Sequence, residues 1–558
     1  MRRIGFAGLT AGLLFASAAS AQDKPASPEP ADHAAQVPAP APAPAAAPQS
    51  EAAADHASHT DDAKPKTAQL LPGYGNGGFA ITTSVPQAQA FFSNGLELGA
   101  AFAHKAAVAA MEEAVRLDPA CAMCKWGQAY VTAPTINFGA TAEERVPLLK
   151  LAKEARKLAA RSGTDKEKAL TRALVERYRP GDTAKRDAAF AKAMRAVQAR
   201  YPADDEIAVL TADAMMVATF AQSDNPDMKG LRDAVPLLET VLARAPDHTP
   251  AIHFYIHATE ILGEPGKAES AADRLAALAP RASHLVHMPA HTYYWVGRYQ
   301  DAAVTNRNAV EIGKQNARAM GITEPLGVFG LPYHSHNVIY GLGGALMSGD
   351  SAIALDLARP LVAASSTRDQ AGPVSQLLAA SGYFALARFD PASVADLAEP
   401  KLPYLKAAWH YARGEAAAWR GDVTALEAAI AAIPAKIADN PEKPDGTKPA
   451  EQMLGITRAV LEGRLATLKG DHKAAAAAFL RGAEIEETPS FNAFADPPAF
   501  WYPVRRDVAA SLLAAGDLSG AKAAAEASLK LRMKDPVAEA LLARASVGEP
   551  PVEVAVRD

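Results

Sequence analysis

Aromatic residues make up only 6% of this chain, and cysteine occurs twice in 558 residues. So few aromatics weigh against sheets, where aromatic and β-branched side chains are enriched, and the abundant alanine favours closely packed helices. Two cysteines cannot staple a disulfide scaffold. Basic residues are not in surplus: 57 Lys and Arg face 62 Asp and Glu, for a net charge of −5. That balance lacks the positive footprint that neutralises phosphates, so nucleic acid is not an expected partner. Beyond the N-terminus no stretch reaches the roughly 18 apolar residues that a membrane span needs. The sequence also lacks a Gly-rich phosphate loop, a nucleophile elbow and a paired-carboxylate pattern. GLGGAL at 341–346 has the glycines of a dinucleotide site but no strand before it.

The first residues read as an export signal. Arg2 and Arg3 precede an apolar run from Ile4 to Ala18, and Ala19-Ser20-Ala21 offers cleavage after Ala21. No cysteine follows to carry a lipid, so the expectation is a periplasmic or secreted protein with 1–21 as signal peptide. From 22 to 71 the chain is Ala, Pro, acidic and His residues with almost nothing large to bury, a disordered linker. Amphipathic helical periodicity then runs over 72–545, leaving a tail at 546–558. The predicted fold class is all-α, a solenoid of antiparallel helix pairs.

A 34-residue period carries that prediction. In FFSNGLELGAAFAHKAAVAAMEEAVRLDP at 91–119, Gly95 lies in a first helix, Ala107 and Ala114 are the small residues of a second, and Pro119 closes the unit. Related frames recur at 264–280, 297–302, 341–355, 413–422, 461–480 and 509–525. The pattern resembles the tetratricopeptide repeat (TPR) and covers most of 85–545. HFYIHATE at 253–260, HLVHMPAHTYYWVGRY at 284–299, YHSHN at 333–337, DPACAMCKWGQA at 118–129 and WYPVRRD at 501–507 are also similar to a group of exported bacterial TPR proteins of unassigned reaction. The resemblance implies that positions 2, 5, 9, 12 and 13 of each first helix line a concave groove.

Histidine is concentrated where that groove would run. Seven of the 14 lie between 253 and 336. His253 and His257 are four residues apart, and His287 and His291 repeat that spacing 34 residues later. In the repeat frame His253, His257 and Glu260 fall on groove positions, as do His284, His287, His291, Tyr294 and Trp295. His336 follows in the next first helix with His334 beside it. Residues four apart share a helix face, and neighbouring helices can direct imidazoles to one ion. Imidazole with at most one carboxylate suits copper or zinc rather than calcium or magnesium. About 18 extra residues within 311–333 are expected to form a loop over the groove.

Other segments offer weaker signals. Cys121 and Cys124 are spaced Cys-x-x-Cys at the start of a first helix, open to a disulfide, metal ligation or free thiols, and Lys125 rules out the haem attachment pattern. Around FNAFADPPAFWYPVRRD at 491–507, Trp501, Tyr502 and Arg505 either grip a ligand or form a hydrophobic plug. The expected function is therefore a transition-metal site, copper or zinc, across the His repeats, for binding or for chemistry with Glu260 as proton-transfer partner. The alternative is a non-catalytic scaffold that holds a peptide or protein partner, and a weaker one is a thiol-disulfide protein using Cys121 and Cys124.

Overall fold

The computed structural model describes residues 68–221, 227–322, 327–331, 333–437, 447–492 and 496–548. The signal peptide, the linker up to residue 67 and the tail beyond 548 lie outside the described residues. Within them the chain is a TPR-like α-solenoid of antiparallel helix pairs, with no strand among the described residues. The first unit forms as the period predicts: helices Pro86–Ala100 and His104–Leu117 pack together, and Pro119 follows the second.

A two-residue device sets four of the pair turns. Gly349, Gly421, Gly470 and Gly516 all take positive φ, between 71° and 82°, where a side chain would be strained. The next residue in each case is aspartate. Asp350, Asp422, Asp471 and Asp517 each accept a backbone N–H three residues on, at 2.8–3.0 Å, which caps the following helix. Each Gly-Asp step thus ends one helix and starts its partner.

The superhelix is tightly wound. Helix Pro86–Ala100 reaches across to touch helix Thr249–Ile261. The strap before it binds the same region: Asn76 N–H donates to Thr249 Oγ1 and Thr249 N–H to Asn76 Oδ1, both at 2.9 Å, and Arg281 N–H donates to Gly73 O at 2.9 Å. From the other end of the chain, Met533 O accepts from Tyr299 Oη at 2.7 Å. Both ends of the solenoid therefore pack onto the His-bearing repeats. The groove expected from sequence is closed there, and its lining has become core.

Part of the extra length within 311–333 is taken up in helix rather than in the loop expected over that groove. Helix Tyr299–Ala319 simply continues for 21 residues, followed by a turn and a short 3-10 helix at Gly327–Gly330. Residues 323–326 and 332 lie outside the described set.

Candidate metal centre

Three helical segments deliver the imidazoles. Helix Thr249–Ile261 starts under the His248 cap, whose Nδ1 accepts from Ala251 N–H, with Pro250 in its first turn. It carries His253, His257 and Glu260 on one face. The next is broken: Ser283–His287 stops at Met288, and Pro289, which lacks an N–H, begins Pro289–Trp295. The third, His334–Ser348, lies unusually close to helix Tyr299–Ala319, because a Cβ on Gly344 would sit 2.7 Å from Tyr299 O and Ala303 N. This approach brings His336 and Tyr340 to the cluster.

His253, His257, His284, His287 and His291 are 0–6% exposed. The potential ligand atoms of His253, His257 and His284 lie within 4.8 Å of one another, as do those of His287, His291 and His336, and those of His257, Glu260 and His291. Two trios of imidazoles thus adjoin, joined through His257 and His291, whose ring centroids are 5.3 Å apart.

Hydrogen bonds fix which nitrogen carries the proton on three of these rings. His253 Nδ1 faces Ala100 O at 2.7 Å, and a carbonyl only accepts. His287 Nδ1 faces Asn306 Oδ1 at 2.6 Å, and Asn306 is oriented by donating its Nδ2 to Ala302 O at 2.8 Å. His291 Nδ1 donates to Glu260 Oε2 at 2.6 Å. The other nitrogen, Nε2, carries the lone pair whenever such a ring is neutral. His287 Nε2 and His291 Nε2 meet at 2.8 Å, and His253 Nε2 meets His284 Nε2 at 3.1 Å.

Burial and mutual proximity work against charge on five of the six rings. Desolvation, then the neighbouring imidazoles, depress His257, His284 and His287 well below the usual range. Burial takes His253 to about 3 despite its bond to Ala100, and His336 to about 4 despite Asp496. His291 is the exception. Burial works against its charge, but the carboxylates of Glu260 and Asp496 outweigh that and raise it. Glu260 is itself fully engaged: Oε1 accepts from Tyr340 Oη at 2.9 Å and Trp295 Nε1 at 3.1 Å, while Oε2 holds His291. Its place is that of a positioning carboxylate behind an imidazole rather than of a base with a free oxygen.

Six of the seven predicted ligands come together, and His334 does not. It packs against Phe329, 5.0 Å between ring centroids, and belongs to none of the three groups. Two residues along a helix turn a side chain by about 200°, so His334 and His336 point to opposite faces. Of the predicted groove residues, Trp295 reaches the site through Glu260, while Tyr294 is core, 1% exposed and packed on Tyr299. Trp501 and Tyr502 are buried among Arg388 and Arg506 as a plug, and Arg505 is committed to Glu487. Cys121 and Cys124 form a disulfide, which excludes them as metal ligands or free thiols, and their burial gives an incoming thiolate no access.

Several functional partners escape sequence reasoning. Ala100 O, a backbone group, has no signature at all. Asn306 sits on the opposite helix of its pair, and Phe102 packs its ring on His253 and His284 at 4.6 and 4.7 Å. Asp496 Oδ1 lies 3.4 Å from His291 Nδ1 and 4.0 Å from His336 Nε2. It belongs to the irregular 491–507 segment, whose aromatics drew attention in its place.

The fold and site define a TPR-like solenoid that encloses a buried cluster of imidazoles. No family model matches the chain, and no curated protein is similar to it. Among solved structures, yeast Tom70 is similar over 83% of this chain and 89% of its own, with 11% identity and a TM-score of 0.27. The human IFIT1 dimer with m7Gppp-AAAA is similar over 76% and 90%, with 14% identity and a TM-score of 0.29. Likenesses this distant say nothing of what the chain binds, and the functional reading rests on the site.

Proposed function

We propose that this is an exported metal-binding protein that holds a transition-metal ion, copper or zinc, through His287, His291 and His336. One observation carries the reading: His287 and His291 each spend their Nδ1–H on a protein acceptor, so their Nε2 atoms face one another at 2.8 Å, both bare when the two rings are neutral. Two lone pairs this close repel unless a proton is shared between them or a cation sits beside them, about 2.0–2.1 Å from each nitrogen and off the line that joins them. A proton would satisfy two nitrogens, but a ring nitrogen of His336 completes a group whose ligand atoms all lie within 4.8 Å of one another, and a metal ion takes three or four. Imidazoles that donate their far N–H to a carboxylate or amide oxygen are the usual way proteins orient a metal-binding ring. Glu260 and Asn306 supply that support here, and Asp496 adds negative charge beside the site.

The burial of these rings speaks for holding the ion and against a peptide threaded along the same side chains. Elemental analysis of untagged protein from the native periplasm, beside His287→Ala/His291→Ala, tests the proposal. Stoichiometric copper or zinc that disappears in the variant is the expected result. Absence of metal from both refutes it and returns the solenoid to the reading of a partner-binding scaffold.

A further inference from the structure

The second trio, His253, His257 and His284, is not needed by a single ion at His287, His291 and His336. Its geometry repeats part of what marks the first. Nδ1 of His253 is spent on Ala100 O, and the bare Nε2 faces His284 Nε2 at 3.1 Å. A ring nitrogen of His257 completes a group with all ligand atoms within 4.8 Å. Protein hydrogen bonds do not complete this trio, because His257 Nε2 and His284 Nδ1 are buried without a hydrogen-bond partner. A buried polar atom left unpaired costs on the order of 1–3 kcal/mol, and two in adjacent rings are unusual in a packed interior.

The surroundings of the two trios differ. Around the first stand Glu260 and Asp496. Around the second stand the rings of Phe102, stacked on His284, and Tyr333, 4.7 Å from His284. Asn137 Nδ2 donates to Tyr333 Oη at 3.0 Å and so fixes that ring as a cover. The outcome is a donor set of three neutral imidazoles in an apolar shell, with His257 between it and the carboxylate-flanked trio.

We infer that the cluster holds two transition-metal ions, the second bound by His253, His257 and His284. This rests on the proposal of a metal at the first trio, and the two fail differently. Metal-free full-length protein titrated with Co(II) should develop its d–d absorption linearly to two equivalents per chain. With His253→Gln/His284→Gln the break should move to one equivalent, and with His287→Gln/His291→Gln likewise to one. A wild-type break at one equivalent, retained in His253→Gln/His284→Gln, overturns the second site and leaves the first standing. Two equivalents in both wild type and His253→Gln/His284→Gln also overturn it, since the second ion would then lie elsewhere. No Co(II) uptake by the wild type overturns both readings. The wild-type titration needs no variant to fold.

Discussion

Replacing Glu260 by Gln tests whether the carboxylate acts through His291. In the native chain Oε2 accepts the His291 Nδ1–H at 2.6 Å while Oε1 accepts from Tyr340 and Trp295 at 2.9 and 3.1 Å. A glutamine is nearly isosteric but has one acceptor oxygen. If that oxygen stays with Tyr340 and Trp295, the amide NH2 confronts a ring N–H, and His291 must rotate or move its proton to the nitrogen that binds metal. Flipping the amide keeps His291 in place but leaves two donors facing NH2. Either way a charge-assisted bond in a buried site is lost. Removing such a support typically lowers metal affinity by about 10- to 100-fold, or roughly 1.4–2.8 kcal/mol. Competition against a chromophoric chelator at fixed pH measures this directly, with stoichiometry expected to stay unchanged. Tyr340→Phe, which removes one donor to Glu260 and keeps the charge, should cost less. An affinity in Glu260→Gln within about threefold of wild type would refute the assignment, because the 2.6 Å bond would then contribute nothing to orienting the ring.

Three further expectations follow from the same geometry. His336→Ala should weaken metal binding at the first trio while His334→Ala leaves it unchanged, by the chelator competition, because only His336 faces the cluster; equal losses would contradict the placement of the two rings. Burial raises the Glu486 carboxyl to about 7, so its contribution to stability is full below its ordinary value near 4.5 and is lost as pH rises through 7, on the order of 3 kcal/mol. Denaturant titrations at pH 5 and pH 8 should show that slope in wild type and its loss in Glu486→Gln, whose carbonyl can still accept from Val504 N–H; an unchanged slope would refute it. Gly344→Ala places a Cβ 2.7 Å from the backbone of helix Tyr299–Ala319 and should destabilise by about 1–3 kcal/mol, seen as a lower Tm; an unaltered Tm would mean the two helices part without cost.

Much of this architecture was legible from local chemistry. Gly349-Asp350 and its counterparts encode both the end of one helix and the cap of the next within two residues, so the repeat frame could be set without any tertiary information. The spacing of His253 with His257 and of His287 with His291 likewise fixed a shared helix face. What local spacing does not encode is curvature. The winding that carries Ala100 O to His253 and Asp496 to His291 sums small rotations over many helix pairs. For that reason an open groove was the natural expectation and a closed interior was found. Adjacency in sequence places His334 with His336, whereas helix geometry sets the two on opposite sides.

Closure changes what the histidines mean energetically. An interior packed with apolar side chains needs no imidazole, and each buried ring brings two polar nitrogens that must be satisfied or penalised. For His253, His287 and His291 the protein supplies an acceptor for one nitrogen, and it aims the other at a second imidazole. A core selected only for stability would be better served by leucine or phenylalanine at these positions, as replacement of buried ionic groups by well-packed apolar ones often shows. A core built to hold a cation requires rings oriented from behind, as Ala100 O, Asn306 and Glu260 orient His253, His287 and His291 here. The repeats that carry the rings are also the ones on which both ends of the described solenoid close. Loss of a bound ion would therefore leave facing lone pairs at the point where the superhelix is tied together, so metal binding and the closed form should stabilise one another.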